Sequence, residues 1–232
     1  MQTVLRMEKK YLITLADFRK HSHYFSKVLE EDAHNSDGGY KIRSLYFDTI
    51  NDKDFHEKQE GIGIRKKIRL RLYNPKFDFA MLEMKQKEGD NQKKRSIKLD
   101  RKDAVKMIEG DYSILLNYDN DFAVECYALM NMQCYKPKTI VEYQRKAYVA
   151  KENNIRITFD SNVVATESSF DIFDENLLMY PVFSKYNVIL EVKYNGFLLS
   201  YIKEMLEDID KLSLSVSKYC LARQVGLGYV FL

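Results

Sequence analysis

The chain has no tryptophan, and its 232 residues include only three prolines, nine glycines and three cysteines. Each shortage removes a class of protein. So little Pro and Gly leaves no material for long disordered linkers or low-complexity spacers. Cys126, Cys134 and Cys220 are odd in number and show no CxxC spacing, which argues against a disulfide scaffold and suits reduced, partly buried thiols. No run of 18 or more apolar residues occurs, so no helix is expected to span a membrane. The opening MQTVLRMEKKYL has charges where a secretory signal needs an apolar stretch, and the expected location is the cytoplasm.

What is present suits one domain over residues 1–232. The chain is 45% hydrophobic and 31% charged, with 17 Tyr and 13 Phe to build a core. The net charge is only +3 but is unevenly spread: residues 65–106 hold 15 Lys or Arg against 6 Asp or Glu. A basic segment in an otherwise acidic chain points to a local anion site. A solvated charged face is the plain alternative.

Periodicity separates strands from helices. Strand patterns occupy 4–13, 41–48, 64–74, 79–87, 94–99, 139–149, 154–160 and 187–195. Helical patterns occupy 15–31, a short stretch near 51–60, RKDAVKMIEG, FAVECYALMNM and two segments within 197–225. Asp17 helps to start the first helix, and Ser215 or Ser217 is the expected cap of the last. His21, His23, His34 and His56 lack ligand spacing and are expected at the surface. EGIGI at 60–64 is a turn; it lacks the longer glycine signature of a nucleotide loop.

The strand IRKKIRLRLYNP, 64–75, carries Ile64, Ile68, Leu70 and Leu72 on one parity and Arg65, Lys67, Arg69 and Arg71 on the other. Successive strand side chains point to opposite faces, so one face is oily and the other cationic. The pattern repeats. Arg6, Glu8 and Lys10 share a face, as do Glu83, Lys85 and Lys87. Arg95, Tyr143 with Arg145, Arg156 with Thr158 and Asp160, and Glu191 with Lys193 extend the set. Eight strands can close a barrel. Lined this way, its interior would repel itself unless an anion filled it, and its few carboxylates suit a hard divalent cation.

Taken in order, R-M-E-K-K-Y (6–11), R-S-L-Y-F-D-T (43–49), R-L-R-L-Y (69–73), L-E-M-K (82–85), E-Y-Q-R-K-A-Y (142–148), R-I-T-F-D (156–160), L-E-V-K-Y (190–194) and S-K-Y (217–219) resemble the VTC-type polyphosphate polymerase branch of the triphosphate tunnel metalloenzymes. The resemblance implies an α+β fold, an eight-stranded antiparallel β-barrel or triphosphate tunnel with peripheral helices. It implies Mn2+ or Mg2+ as cofactor, and NTP and inorganic polyphosphate as ligands. By position, Lys10, Arg69, Arg71, Lys85, Arg145, Lys193 and Lys218 grip phosphate oxygens. Arg95 and Arg156 are additional clamps, Tyr143 donates a hydrogen bond, and Glu191, Glu8 and Glu83 are the metal ligands. The hydrolase branch opens with E-x-E-x-K where this chain has R-x-E-x-K, one carboxylate fewer, which favours the polymerase branch. The N-terminal sensor domain and membrane segments of the eukaryotic polymerase subunits are not expected here, so any movement of polyphosphate across a membrane would fall to a separate membrane partner.

Three functions remain open on this reading. The first is metal-dependent phosphoryl transfer from NTP, with a chain phosphate attacking to give polyphosphate or water attacking to give a triphosphatase. The second is a phosphate-chain binding module without catalysis. The third, nucleic-acid binding, is disfavoured: the basic residues alternate with apolar ones, and neither an RNP-type aromatic pair nor a recognition helix is present.

Overall fold

Alternation of apolar and charged residues is realised as eight long antiparallel strands in the computed structural model, which describes residues 6–36, 38–89, 91–207, 209, 212–213 and 217–226. The chain begins with β1 (Arg6–Thr14), α1 (Leu15–Val28), β2 (Glu30–Glu31), β3 (Tyr40–Thr49) and α2 (Lys53–Gln59). A meander follows: β4 (Ile64–Leu72), β5 (Phe79–Glu88) and β6 (Asn91–Asp100). Next come α3 (Arg101–Glu109), α4 (Asp121–Met132), β7 (Tyr135–Ala150) and β8 (Ile155–Thr166). The chain ends with β9 (Tyr180–Pro181), β10 (Asn187–Asn195), α5 (Ser200–Glu207), β11 (Leu212–Ser213) and α6 (Lys218–Gly226). The architecture is α+β, and three of these strands are only two residues long. Among the described residues no helix is long and apolar enough to cross a membrane.

The chain groups into two compact units. The first comprises Met1–Lys41, Tyr143–Val163 and Phe183–Val216. Its strands pair in the order β11, β1, β10, β8, β7. Ile13, Ile155, Ile157, Phe159, Val188, Leu190 and Val192 put their parity into a core with Phe25, Ile202 and Leu206 of the helices. Burying a side chain of this size stabilises the fold by about 1.5–3 kcal/mol. Thr14 caps α1: its hydroxyl accepts the Asp17 amide proton at 3.1 Å and donates to the Asp17 carboxylate at 2.6 Å. The helix stops at Val28, short of the expected residue 31, and Glu30 and Glu31 instead pair with Val149 and Tyr148. Two glutamates are poor company for the negative end of a helix dipole. His21 is buried, not at the surface, because it shares a helical face with Phe25, whose ring centroid is 6.4 Å from its own. His23, His34 and His56 are exposed.

The second unit comprises Ile42–Glu142, Val164–Val182 and Ser217–Leu232, with strand order β7, β3, β4, β5, β6. Ile68, Leu70 and Leu72 of β4 meet Leu45, Phe47, Leu82, Met84 and Leu99 in a core that α3 and α4 cover with Ala104, Met107, Phe122, Ala123, Cys126 and Met130. The helices thus occupy the oily face of β4. Asn120 caps α4 by accepting the amide protons of Phe122 (2.9 Å) and Ala123 (3.3 Å). In each unit the pairing among the described residues is an open path, not the closed ring of the expected barrel. The end strand β6 carries Lys93, Lys94 and Lys98, and β11 is two residues long; both are devices that leave an edge unpaired. Val4 and Leu5 of the first expected strand, and Ser215, lie outside the described residues. Ser217 does act as a cap, accepting the Cys220 amide proton at 3.1 Å.

Two buried carboxylates organise the turn into α2. Asp52, the N-cap, has a left-handed backbone (φ 54°) and makes no capping bond. Asp48 substitutes, accepting the amide protons of Thr49 (2.7 Å), Asp54 (2.9 Å) and Phe55 (2.9 Å) and the Tyr219 hydroxyl (2.6 Å). Asp54 accepts the Tyr135 hydroxyl, at 3.0 and 3.1 Å from its two oxygens. Burial, and then the Asp48 charge, push the Asp54 carboxyl up from 3.8 to about 7, against the pull of Lys66 and the Tyr135 hydrogen bond. A raised acid holds its proton longer in the folded chain, so its contribution to stability falls as pH rises from about 4 to 7. Asp54→Asn is expected to gain thermal stability relative to the parent across that window. Melting midpoints in a buffer series check this, and a difference that does not vary with pH would contradict it.

Candidate functional site

In the first unit, strand register builds one polar face. Glu8 lies directly across from Lys193, Lys10 from Glu191, Glu191 from Thr158, and Lys193 from Arg156. The Lys10 ammonium sits 2.8 Å from Glu8 and 3.5 Å from Glu191, and Lys193 also bonds Glu191. Burial alone would make Lys10 a weaker base, but the Glu191 and Glu8 charges more than offset it and hold the ammonium charged to well above its ordinary value. Arg145 grips Asp160 with both arms of its guanidinium fork, at 2.6 and 2.7 Å. Its guanidinium carbon stands 5.3 Å from the Tyr143 ring centroid.

Arg156 stands on the same rung as Lys193. It meets the Asp32 carboxylate at 2.6 Å and the Tyr40 hydroxyl at 3.1 Å. The segment bearing Asp32 is held against β7 by the Asp32 amide, which donates to the Ala147 carbonyl at 3.0 Å. Gly39 follows with φ +86°, and a Cβ there would stand 2.2 Å from the Arg145 carbonyl oxygen, so only glycine fits this approach.

In the second unit, the face of β4 opposite the helices carries Arg69 and Arg71, with Glu83 between them. Glu83 lies across from Arg69 on one side and Ser96 on the other. Its carboxylate accepts from Arg69 (2.6 Å) and Lys94 (2.5 Å), and Arg71 lies 3.7 Å away. Burial would raise the Glu83 pKa, yet Arg69, Arg71 and Lys94 together hold it at about 2. One rung further along, Lys67, Lys85 and Lys94 face one another across three strands. The Arg69 guanidinium also donates to the Tyr46 hydroxyl at 3.0 Å, and the Tyr46 ring stacks on Tyr219 of α6 at 5.2 Å.

The predicted residues therefore form two groups: Glu8, Lys10, Tyr143, Arg145, Arg156, Glu191 and Lys193 in one unit, and Arg69, Arg71, Glu83 and Lys85 in the other. Arg95 joins neither. It pairs with Met84 on the apolar parity of the hairpin, grips Glu125 of α4, and lies over the Phe122 ring at 5.0 Å. Lys218 is the first residue of α6, next to the Ser217 cap. Sequence reasoning passed over Lys94, Asp32 and, as a site residue, Asp160. Asp160 shares the parity of Arg156, which was the available signal; Lys94 needed the hairpin register, and Asp32 nothing local could reveal.

A hard divalent cation fits part of this arrangement. Glu8 and Glu191 both reach the Lys10 ammonium, so two carboxylates already converge on one positive charge. Among the described residues no cluster of three or more Asp, Glu, His or Cys forms an all-protein cage. Two carboxylates suit Mg2+ or Mn2+ that completes its shell with water and substrate phosphates. Glu83 is committed to three cations of its own unit and fits a metal less well.

The profile of the VTC domain family matches residues 5–226, and no curated protein matches the chain. Among solved structures, a Hippeastrum protein designated an adenylyl cyclase, described as having a dominant triphosphatase activity, aligns with a TM-score of 0.57 at 11% identity, covering 95% of this chain and 96% of its own. A protein from Bacillus halodurans designated an adenylate cyclase gives 0.50 at 12% identity, with 88% of each chain covered. A chain of the Schizosaccharomyces pombe Mediator head module gives 0.50 at 10% identity, covering 90% of this chain and 99% of that one. At such identities these likenesses concern the fold.

The Arg145–Asp160 pair makes the electrostatics testable. Removing one partner of a buried ion pair strands the other charge, at a cost of about 3–5 kcal/mol. Asp160→Asn is expected to lower the melting midpoint by roughly 6–20 °C, at 2–4 °C per kcal/mol for a chain of this size. Scanning calorimetry of both proteins measures the shift; a change under about 2 °C would mean that Arg145 needs no counter-charge.

Proposed function

We propose, from the premise that this chain belongs to the VTC domain family, that it transfers phosphoryl groups from a nucleoside triphosphate to a growing inorganic polyphosphate chain. The observation that supports this most is the bracing of cationic strand faces by buried carboxylates in each unit, Glu191 with Lys10 and Lys193, and Glu83 with Arg69, Arg71 and Lys94. Such cations are charged and oriented before a ligand arrives, which is what a polyanion site requires. Phosphate oxygens take the carboxylates' places.

In the proposed reaction, a terminal oxygen of the chain attacks the γ-phosphorus of the NTP. A new P–O bond forms, the β–γ bridging P–O bond breaks, and the nucleoside diphosphate leaves with the electron pair. The transition state is loose, so the protein's work is alignment and charge neutralisation. Arg69, Arg71, Lys85, Lys10, Arg145, Lys193 and Lys218 bind phosphate oxygens, with Arg156 as a further contact and Tyr143 as a neutral donor. Arginine forks suit this work through bidentate contacts. Arg95 instead anchors α4 to β6. Glu8 and Glu191 would hold the Mn2+ or Mg2+, which would supply charge neutralisation on the phosphoryl oxygens. A second reading, with water as the attacking group, draws support from the triphosphatase activity described for the Hippeastrum protein.

The test is turnover of ATP with Mn2+ or Mg2+ by the parent and by Glu191→Gln, with free phosphate and chain products resolved on a gel. The parent is expected to make chains and the variant at least about 100-fold fewer, the scale of losing one preorganised electrostatic group. Free phosphate without chains would move the assignment to a triphosphatase. An absence of turnover in the parent, with tripolyphosphate still bound, would leave a binding module.

A further inference from the structure

Thr158 stands in the middle of the polar face of the first unit. Arg156 and Asp160 flank it on β8, and Glu191 lies directly across on β10. Its neighbours on that face are engaged: Arg156 with Asp32 and Tyr40, Asp160 with Arg145, and Glu191 with Lys10 and Lys193. Thr158 is 1% exposed, and its hydroxyl has no hydrogen-bond partner among the described residues. The alternate residues Ile157 and Phe159 fill the apolar core, so the hydroxyl belongs to the charged side of the strand.

For folding alone, a hydroxyl is the wrong group at this place. A buried unpaired hydroxyl costs free energy, and a valine of the same shape would not. The charges around it say what it awaits. Lys10, Arg145, Arg156 and Lys193 make the face receptive to an anion, yet each of them must give up a carboxylate contact before it can take a phosphate oxygen. Thr158 need give up nothing. A fifth lysine or arginine, between Glu191 and Asp160, would be drawn into the same ion pairs, whereas a neutral donor is not.

The geometry points to Thr158 as a phosphate-binding residue, its hydroxyl donating to an oxygen of the polyanion that the first unit's cations hold. This rests on the phosphate-chain reading of the site. It adds a neutral contact whose engagement does not require breaking an ion pair, and so one whose strength depends little on salt.

Titration calorimetry with tripolyphosphate, on the parent, Thr158→Val and Thr158→Ser, at low and at 0.3 M salt, tests it. Thr158→Val is expected to bind about 5- to 10-fold more weakly at both salt concentrations, the value of one hydrogen bond. It should melt at or above the parent's midpoint, and Thr158→Ser should keep most of the affinity. Unchanged affinity in Thr158→Val, or a loss matched by an equal loss of stability and shared by Thr158→Ser, would overturn the assignment while leaving the phosphate-chain reading intact. Failure of the parent itself to bind tripolyphosphate would bring down both.

Discussion

Everything in the two cationic faces depends on the buried carboxylates set among their lysines and arginines. Two like charges 4 Å apart repel by about 4 kcal/mol in a medium of intermediate dielectric constant. A strand face carrying Arg69, Arg71 and Lys94, or Lys10 and Lys193, would open if left alone. Glu83 and Glu191 prevent this by sitting among the cations they neutralise. The brace also sets the terms for a ligand. On the proposed function, binding is an exchange of one anion for another, so affinity is a difference between two large electrostatic terms.

The same economy shapes the metal question. A carboxylate that braces a lysine can hold a divalent ion only if the lysine moves to another anion. On the proposed function that anion is the phosphate chain, and ion and polyanion would bind cooperatively in the first unit. The fold does not dictate such chemistry by itself. Proteins designated cyclases and a chain of the Mediator head module share it at 10–12% identity, and function has to be argued from the side chains on the strand faces.

Much of this could be read in the amino-acid order, and the exceptions have physical reasons. Alternation in Ile64–Leu72 assigns Ile68 and Leu70 to the core and Arg69 and Arg71 to the other face without any coordinates. The same rule fails at Lys93-Lys94-Arg95, three cations in a row. There only the register of the β5–β6 hairpin decides that Lys94 meets Glu83 while Arg95 turns to Glu125. The helix pattern through residue 31 misled because apolar spacing continues to Leu29 while the two glutamates after it favour a strand. His21 went wrong as a lone polar symbol, since its burial follows from sharing a face with Phe25. Asp32 was out of reach altogether: its partner Arg156 is more than a hundred residues away.

The stack of Tyr219 on Tyr46, which in turn bonds Arg69, links an early strand to the last described helix. During synthesis Arg69 and its brace Glu83 are 14 residues apart, whereas Tyr219 follows Arg69 by 150. At 5–20 residues per second that is a wait of roughly 8–30 s. The ion-pair brace of the hairpin can form at once, and the aromatic one only when α6 arrives. The basic face of this meander is therefore braced early by ion pairs and by the Arg69–Tyr46 hydrogen bond, and the docking of α6 is the event that completes it.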